Sequence, residues 1–291
     1  MIPFRRLLFG LYLASCTVFI QAQTCESPKI LRVSLIPKKS AEALGAEYQP
    51  LIKVLEAVLK QPVEIVLASS YGSVVEGLLA GTIDLAELGP ASYAQAKARD
   101  SRITAFASLI QRIGPYTDAS DSYRSLLIVL RDKKIKDLAS LRGSNISLVD
   151  PASTSGALIP RQMIRKLTGV PLERYFGRIT FAGSHDRAIQ AVQKGFVDAA
   201  FIASSRLDEA LRTGSVRPDE LQVHWKSSPI PYDPFVYRGQ LCPSVTDKIK
   251  QAFFENGASQ KDMFKGMNGE GFARVNDANY LEIREAYTHQ P

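Results

Sequence analysis

Three consecutive hydroxyls stand in the segment Asp150-Pro151-Ala152-Ser153-Thr154-Ser155-Gly156, between an apolar stretch, Ile146 to Val149, and an amphipathic stretch whose helical spacing begins near Ala157. Residue types in that order can hold an anion. The first N–H groups of a helix lack intrahelical acceptors and carry about half a positive charge, so an oxyanion placed there meets backbone donors and a favourable dipole. Hydroxyls add donors without adding charge. One of them could serve only as the helix cap. A cap needs one hydroxyl, and the segment offers three.

A second pattern widens the candidate site. Ile65-Val66-Leu67-Ala68-Ser69-Ser70-Tyr71, a helical stretch, and Gly81-Thr82-Ile83-Asp84 recur as Ile179-Thr180-Phe181-Ala182-Gly183-Ser184-His185, a helical stretch, and Gly195-Phe196-Val197-Asp198. At the same offset Val33 to Pro37 falls on Ser147 to Pro151. Matched order and spacing predict two lobes built from one strand–helix–strand unit. Tyr71 and His185 then occupy equivalent places, each opening a helix at the carboxyl end of a strand, where ligands sit in open α/β sheets.

Other candidates are few. His185 can cap, pack or donate to a ligand oxygen; His224 and His289 read as structural or solvated. Tyr71 and Tyr93 both follow strand ends, so either hydroxyl could donate to the ligand or its ring could simply pack. Asp233, between Pro231 and Pro234, would repel a fully ionised guest. It fits a ligand that keeps a proton to share, or one that bears an amine. No paired Cys/His spacing of a metal site, no G-x-x-x-x-G-K-[ST] and no G-x-G-x-x-G are present, so no metal or cofactor is expected. Ser153 or Ser155 with His185 and Asp233 would supply the residue types of a serine hydrolase, without its G-x-S-x-G elbow.

The elements that must position these groups alternate. Strand Leu31 to Ile36, helix Tyr48 to Lys60 with Pro50 in its first turn, strand Val63 to Ala68, helix Gly72 to Ala80 and strand Ile83 to Leu88 form a βαβ series. A helix to about Ala98 and a strand near Thr104 to Ile110 follow. From Ser125 the alternation repeats through the hydroxyl loop, strand Ile179 to Phe181, helix Asp186 to Lys194 and strand Ala199 to Ile202. The chain returns through Gln222 to Lys226 and a Pro-rich stretch, then ends in helices able to cover the first lobe. The second lobe, residues 125–225, is thus inserted in the first, residues 29–124 and 226–291. Two crossings make a two-strand hinge.

Met1 to Ala22 has the basic start, apolar middle and small-residue end of a secretory signal. Its removal takes away Cys16 and leaves Cys25 and Cys242, which an oxidising compartment could pair. Leu13-Ala14-Ser15-Cys16 is a competing lipoprotein processing box, set against apolar residues 17–20 where a tether is usually polar. The formal net charge of +7 favours anionic ligands. Lysines and arginines are scattered among acids with no aromatic stripe, which argues against nucleic acid.

Taken together, Leu88-Gly89-Pro90-Ala91-Ser92-Tyr93, the Asp150 to Gly156 loop, Phe181 to Asp186 and Trp225 to Pro234 make the chain resemble the phosphate/phosphite/phosphonate-binding proteins of ABC transporters. The resemblance spans about Leu31 to Tyr280. It implies an α/β, two-lobe periplasmic-binding-protein fold of type 2, each lobe a mostly parallel sheet flanked by helices. It also implies that Ser153, Thr154 and Ser155 hold the oxyanion, with Tyr71, Tyr93, His185 and Asp233 lining the cleft. Members that bind aminoalkylphosphonates place an acid after the strand matching Ala199 to Ile202, where this chain has Ala203-Ser204-Ser205. Phosphite, phosphate or a small alkylphosphonate therefore fits better. The expected receptor is an exported, non-enzymatic monomer that delivers its ligand to a membrane ABC permease; the same module could instead feed a sensor kinase or chemoreceptor.

Overall fold

The structure is a computed structural model that describes residues 25–133, 135–255, 263–264, 267 and 269–288. The expected signal segment 1–22, Cys16 and His289 lie outside the described residues. No described helix is long and apolar enough to cross a membrane.

The N-terminal unit runs β1 (Leu31–Leu35), α1 (Ala41–Leu59), β2 (Val63–Leu67), α2 (Tyr71–Leu79), β3 (Leu85–Glu87), α3 (Pro90–Arg99) and β4 (Thr104–Gln111). Next come β5 (Ser122–Tyr123) and β6 (Ser125–Leu130). The inserted unit continues with β7 (Ile146–Leu148), α4 (Ile159–Thr168), α5 (Leu172–Tyr175), β8 (Ile179–Phe181), α6 (His185–Gln193), β9 (Ala199–Ala203), α7 (Ser204–Arg212) and β10 (Leu221–Lys226). The return consists of β11 (Ile230–Pro231), β12 (Pro234–Tyr237), α8 (Pro243–Phe254), β13 (Gly269–Arg274) and α9 (Leu281–Thr288).

Two mixed sheets result. One has the order β13-β4-β12-β3-β1-β2, the other β10-β6-β9-β7-β8. The βαβ units pair in parallel, β1 with β2 and β3, and β7 with β8 and β9. Strands next to the crossings (β4, β6, β10 and β12) and β13 pair antiparallel, so neither sheet is mostly parallel. A parallel neighbour needs a helical crossover, whereas chain that has just changed lobes enters from the opposite end. Between the sheets β5 and β11 form a two-stranded ribbon with Ile230 opposite Tyr123.

The internal repeat has a physical basis. Helices α2 and α6 are capped by Ser70 and Ser184, whose side chains accept from Ser73 N and Arg187 N. Both are followed by a left-handed glycine, Gly81 with φ 73° and Gly195 with φ 67°. Asp84 then accepts from Arg32 N at 2.8 Å and Asp198 from Asn145 N at 3.0 Å, so each aspartate ties down the entry to its sheet's second strand from the edge.

Helix α1 starts earlier than the apolar spacing predicts, because Ser40 caps it by accepting from Ala43 N. Pro50 consequently lies in the helix interior, not the first turn. The carbonyl deprived of a donor there belongs to Ala46, which is exposed and can turn to water. Cys25 and Cys242 are joined by a disulfide, beside a bridge in which Glu26 N donates to Gln240 O and Cys242 N to Glu26 O. Aromatic rings fill the core beneath the larger sheet, with Phe253 4.8 Å from Phe235 and 4.5 Å from Phe272.

Candidate ligand-binding site

The hydroxyl loop turns by a wide i to i+5 hydrogen bond before α4 begins: Leu158 N donates to Ser153 O, and Ile159 N to Thr154 O. Such turns cluster at functional sites. Its tightness depends on Gly156, where a Cβ would stand 2.5 Å from Val149 Cβ and 2.9 Å from Ser153 Oγ. Ser153 Oγ accepts from Gly156 N at 3.1 Å and so does cap the turn. Thr154 Oγ1 accepts from Ala91 N at 2.8 Å, at the start of α3 in the other lobe. A hydroxyl whose lone pair is held by a backbone N–H still has its proton to give. Ser153 and Thr154 therefore remain donors.

Two ring groups oppose the loop at equivalent helix starts. His185 is buried, and its Nδ1 accepts from Ala203 N at 3.1 Å, which leaves the proton on Nε2. Burial, with the Arg206 and Lys38 charges adding to it, pushes its pKa down to about 3. His185 is thus a neutral donor. Tyr71 is 2 % exposed, and its hydroxyl has no partner among the described residues. Burial, then Asp233 and Asp150, hold that phenol far above its ordinary pKa against the nearby Ser153 hydroxyl and the Arg206 charge, so it keeps its proton.

Asp233 immediately precedes β12, its carbonyl accepting from Ser108 Oγ at 3.1 Å. Burial raises its carboxyl pKa to about 7 against the pull of Lys38, which lowers it; Glu87 adds to the rise and Tyr123 opposes it. The Lys38 ammonium reaches both Glu87 oxygens at 2.8 Å and Tyr48 Oη at 3.1 Å. Tyr123 interacts through its phenol with Thr154 and Ser155 and with Asp233. Beside Asp233, the buried Tyr232 hydroxyl has no partner among the described residues.

These groups enclose a cavity of about 40 Å³ lined by Tyr71, Ser153, Thr154, His185, Tyr232 and Asp233, together with Lys38, Tyr123, Ser205 and Arg206. That volume holds on the order of three water-sized groups. The lobes are closed over it. Asp150 Oδ2 accepts from Tyr71 N at 3.1 Å, so a carboxylate of one lobe caps a helix of the other. Ser92 Oγ donates to Ala152 O at 2.9 Å, and Lys39 bridges Glu47 to Glu209.

Two expected groups lie elsewhere. Tyr93 is fully buried away from the cavity: its hydroxyl donates to Asp277 Oδ1 at 2.9 Å and its ring meets Tyr280 edge-on at 5.3 Å. Ser155 is buried but does not line the cavity; its carbonyl accepts from Ser125 Oγ and its hydroxyl faces Tyr123. Among the lining residues that escaped the sequence reading are Tyr123, Tyr232, Lys38 and Arg206. Tyr123 and Tyr232 flank the lobe crossings, which were themselves legible. At the repeat offset Lys38 falls on Ala152 of the hydroxyl loop, and Arg206 opens a helix after β9, a strand end like those already singled out.

A family profile described as "ABC transporter, phosphonate, periplasmic substrate-binding protein" matches residues 33–280. The chain is 32% identical over 261 residues to the "Phosphate-import protein PhnD" of Mycolicibacterium smegmatis, covering 87% of this chain and 78% of that one. It is 28% identical to the "Phosphonates-binding periplasmic protein" of Escherichia coli, over 92% and 79% of the two chains. Among solved structures it superposes on a binding protein component of an ABC phosphonate transporter from Pseudomonas aeruginosa with TM-score 0.80 and 26% identity, over 89% and 86% of the chains. It shares the fold of PhnD1 from Prochlorococcus marinus in complex with methylphosphonate, at TM-score 0.79 and 21% identity over 89% and 97%. The chain belongs to the phosphonate family of periplasmic substrate-binding proteins of ABC transporters.

Proposed function

We propose that this chain is an exported receptor that closes its two lobes on a tetrahedral phosphorus oxyanion and presents it to an ABC permease. The lobes are residues 29–124 with 226–291, and residues 125–225. The ligand is phosphite, phosphate or a small alkylphosphonate. One observation carries the reading: two buried phenols without partners, Tyr71 and Tyr232, line the same cavity as the Nε2–H of His185 and the hydroxyls of Ser153 and Thr154. Buried polar atoms are normally paired, so a convergent set of spare donors describes the shape of an acceptor-rich guest. Asp233 accounts for the remaining ligand oxygen. With its carboxyl near neutral pKa, one proton is shared between Asp233 and the oxyanion, whichever of them brings it. Relatives named for phosphate import and phosphonate binding, and a structural neighbour holding methylphosphonate, support the ligand class.

The receptor catalyses nothing. A serine nucleophile needs a base, and His185 offers no free nitrogen lone pair: Nδ1 accepts from Ala203 N and Nε2 carries the proton. Ser153 is engaged by Gly156 N. Residues 1–22 direct export and are removed in the process, with lipidation at Cys16 as the second route. Four or five charge-assisted bonds at about 1.5–3 kcal/mol each, less ordering costs, permit micromolar or tighter binding. Titration calorimetry with phosphite, phosphate, methylphosphonate and 2-aminoethylphosphonate tests this. Single-site heat with at least one of the first three is expected; no heat with any of them overturns the reading.

A further inference from the structure

We propose that Arg206 is the residue that decides which phosphonates enter, setting a fixed cation in the cavity wall that rejects a ligand bearing an ammonium group. The proposal rests on the reading that the cavity holds a phosphorus oxyanion. Arg206 is 9 % exposed and lines the cavity beside Ser205, at the start of α7. Its Nε and Nη2 donate to Asp186 Oδ1 at 3.2 and 2.7 Å, and its Nη1 donates to Glu209. A guanidinium has five N–H donors, and three are used among the described residues. The planar fork is therefore clamped in one orientation with donors to spare.

The two cations of the cavity both act on His185 but otherwise face different groups. Lys38 is the one that pulls on Asp233, while Arg206 acts on Tyr232 and ranks first among the charges acting on His185. Lys38 is spent on Glu87 and Tyr48. In a cavity of about 40 Å³ nothing attached to phosphorus can lie far from the Arg206 wall. A methyl group, a proton or a further oxygen is tolerated there. An ammonium is set against a buried positive charge that cannot swing away.

Two carboxylates, Glu47 and Glu209, line the same wall. Neither is free for an amine. Glu47 is bound to Lys39, and Glu209 to Lys39 and Arg206. Burial also raises the pKa of Glu47, which weakens its pull on a cation. The third acid, Asp186, is 36 % exposed and screened by water. A ligand ammonium would have to break this lattice, or take Asp233 from the phosphorus oxygen it is assigned to, to gain a partner.

The test is calorimetry on the mature chain, comparing methylphosphonate with 2-aminoethylphosphonate within each variant, so that any change in closure common to both ligands cancels. The wild type should prefer methylphosphonate by about tenfold or more. Arg206→Gln should narrow that ratio by about tenfold, and Arg206→Lys, which keeps the charge, should retain most of it. Glu209→Gln removes a neutralising partner and should widen the ratio; it keeps the proposal open to refutation if Arg206→Gln does not fold. Equal affinities in the wild type, or an unchanged ratio in Arg206→Gln or in Glu209→Gln, overturn the proposal while leaving the oxyanion site standing. Failure of the wild type to bind phosphite, phosphate or methylphosphonate overturns the oxyanion reading and this one with it.

Discussion

A carboxyl group with its pKa lifted to about 7 beside a nest of neutral donors makes a proton part of the complex. Above that pH the proton leaves, and an ionised Asp233 faces an ionised ligand. Affinity should fall by about tenfold per pH unit above pH 7–8. Asp233→Asn, which always has an N–H to donate, should bind with little pH dependence; calorimetry from pH 6 to 9 reads both. Without ligand the same group acts on stability. Its ordinary value is 3.8 and it titrates near 7 in the fold, so between those values the folded chain binds the proton more firmly. Stability of the ligand-free form therefore falls as pH rises from about 4 to 7, and melting curves of wild type against Asp233→Asn measure the difference. Tyr71→Phe removes one spare donor from a site that has few, and should weaken methylphosphonate binding by about 10- to 100-fold with the melting temperature of the free protein unchanged or raised. At this scale the sequence was only partly legible. Tyr71, His185 and Asp233 stood out by repeat and by proline flanks, whereas Tyr93 and Tyr123 both sit near strand ends and only the packing of Tyr93 on Tyr280 tells them apart.

Elements place those residues through backbone N–H groups more than through side-chain contacts. The start of α2 is capped from the other lobe by Asp150, and the start of α3 by Thr154. Both acceptors come from one loop, so loop shape and lobe closure are the same property. Gly156→Ala forces a Cβ to within 2.5 Å of Val149 and must push the loop outward. A cost of about 1–3 kcal/mol in stability is expected, with a larger loss in ligand affinity because Ser153 and Thr154 move together. Chemical denaturation and calorimetry on the same variant separate the two. The βαβ alternation, the helix starts at Tyr71 and His185 and the position of the hydroxyl loop were all readable, since capping serines, glycine ends and apolar periods are local signals. Helix α1 was not: the interior place of Pro50 depends on Ser40 capping eight residues before the expected start and on an exposed Ala46 carbonyl. Nor was the antiparallel half of each sheet, which follows from where the chain re-enters a lobe and leaves no periodic mark.

Across the whole molecule the two lobes meet through polar contacts, a buried apolar cluster that takes in Ala91 and Leu158, and a two-stranded ribbon, and the N-terminus is pinned by Cys25 to Cys242 with Glu26 paired to Arg238 at 2.8 Å. The bond closes a separation of 217 residues. By the chain-entropy argument its loss costs about 2–5 kcal/mol, so reductant, or Cys25→Ser with Cys242→Ser, should lower the melting temperature by about 5 °C or more in scanning calorimetry without abolishing binding, because neither cysteine lines the cavity. The return of the chain to the first sheet was foreshadowed by the repeat and the Pro-rich segment; the closeness of the two sheet-bearing units was not, because it rests on hydrogen bonds and apolar contacts between residues distant in sequence. The most direct measurement is a crystal structure of the mature chain grown with methylphosphonate. The account predicts one ligand in the cavity between the sheets, its phosphorus oxygens within hydrogen-bond distance of Thr154 Oγ1, His185 Nε2 and the Tyr71 hydroxyl, with one oxygen on Asp233. A ligand bound elsewhere, or a cavity closed as it is here and occupied only by water at saturating methylphosphonate, would contradict it.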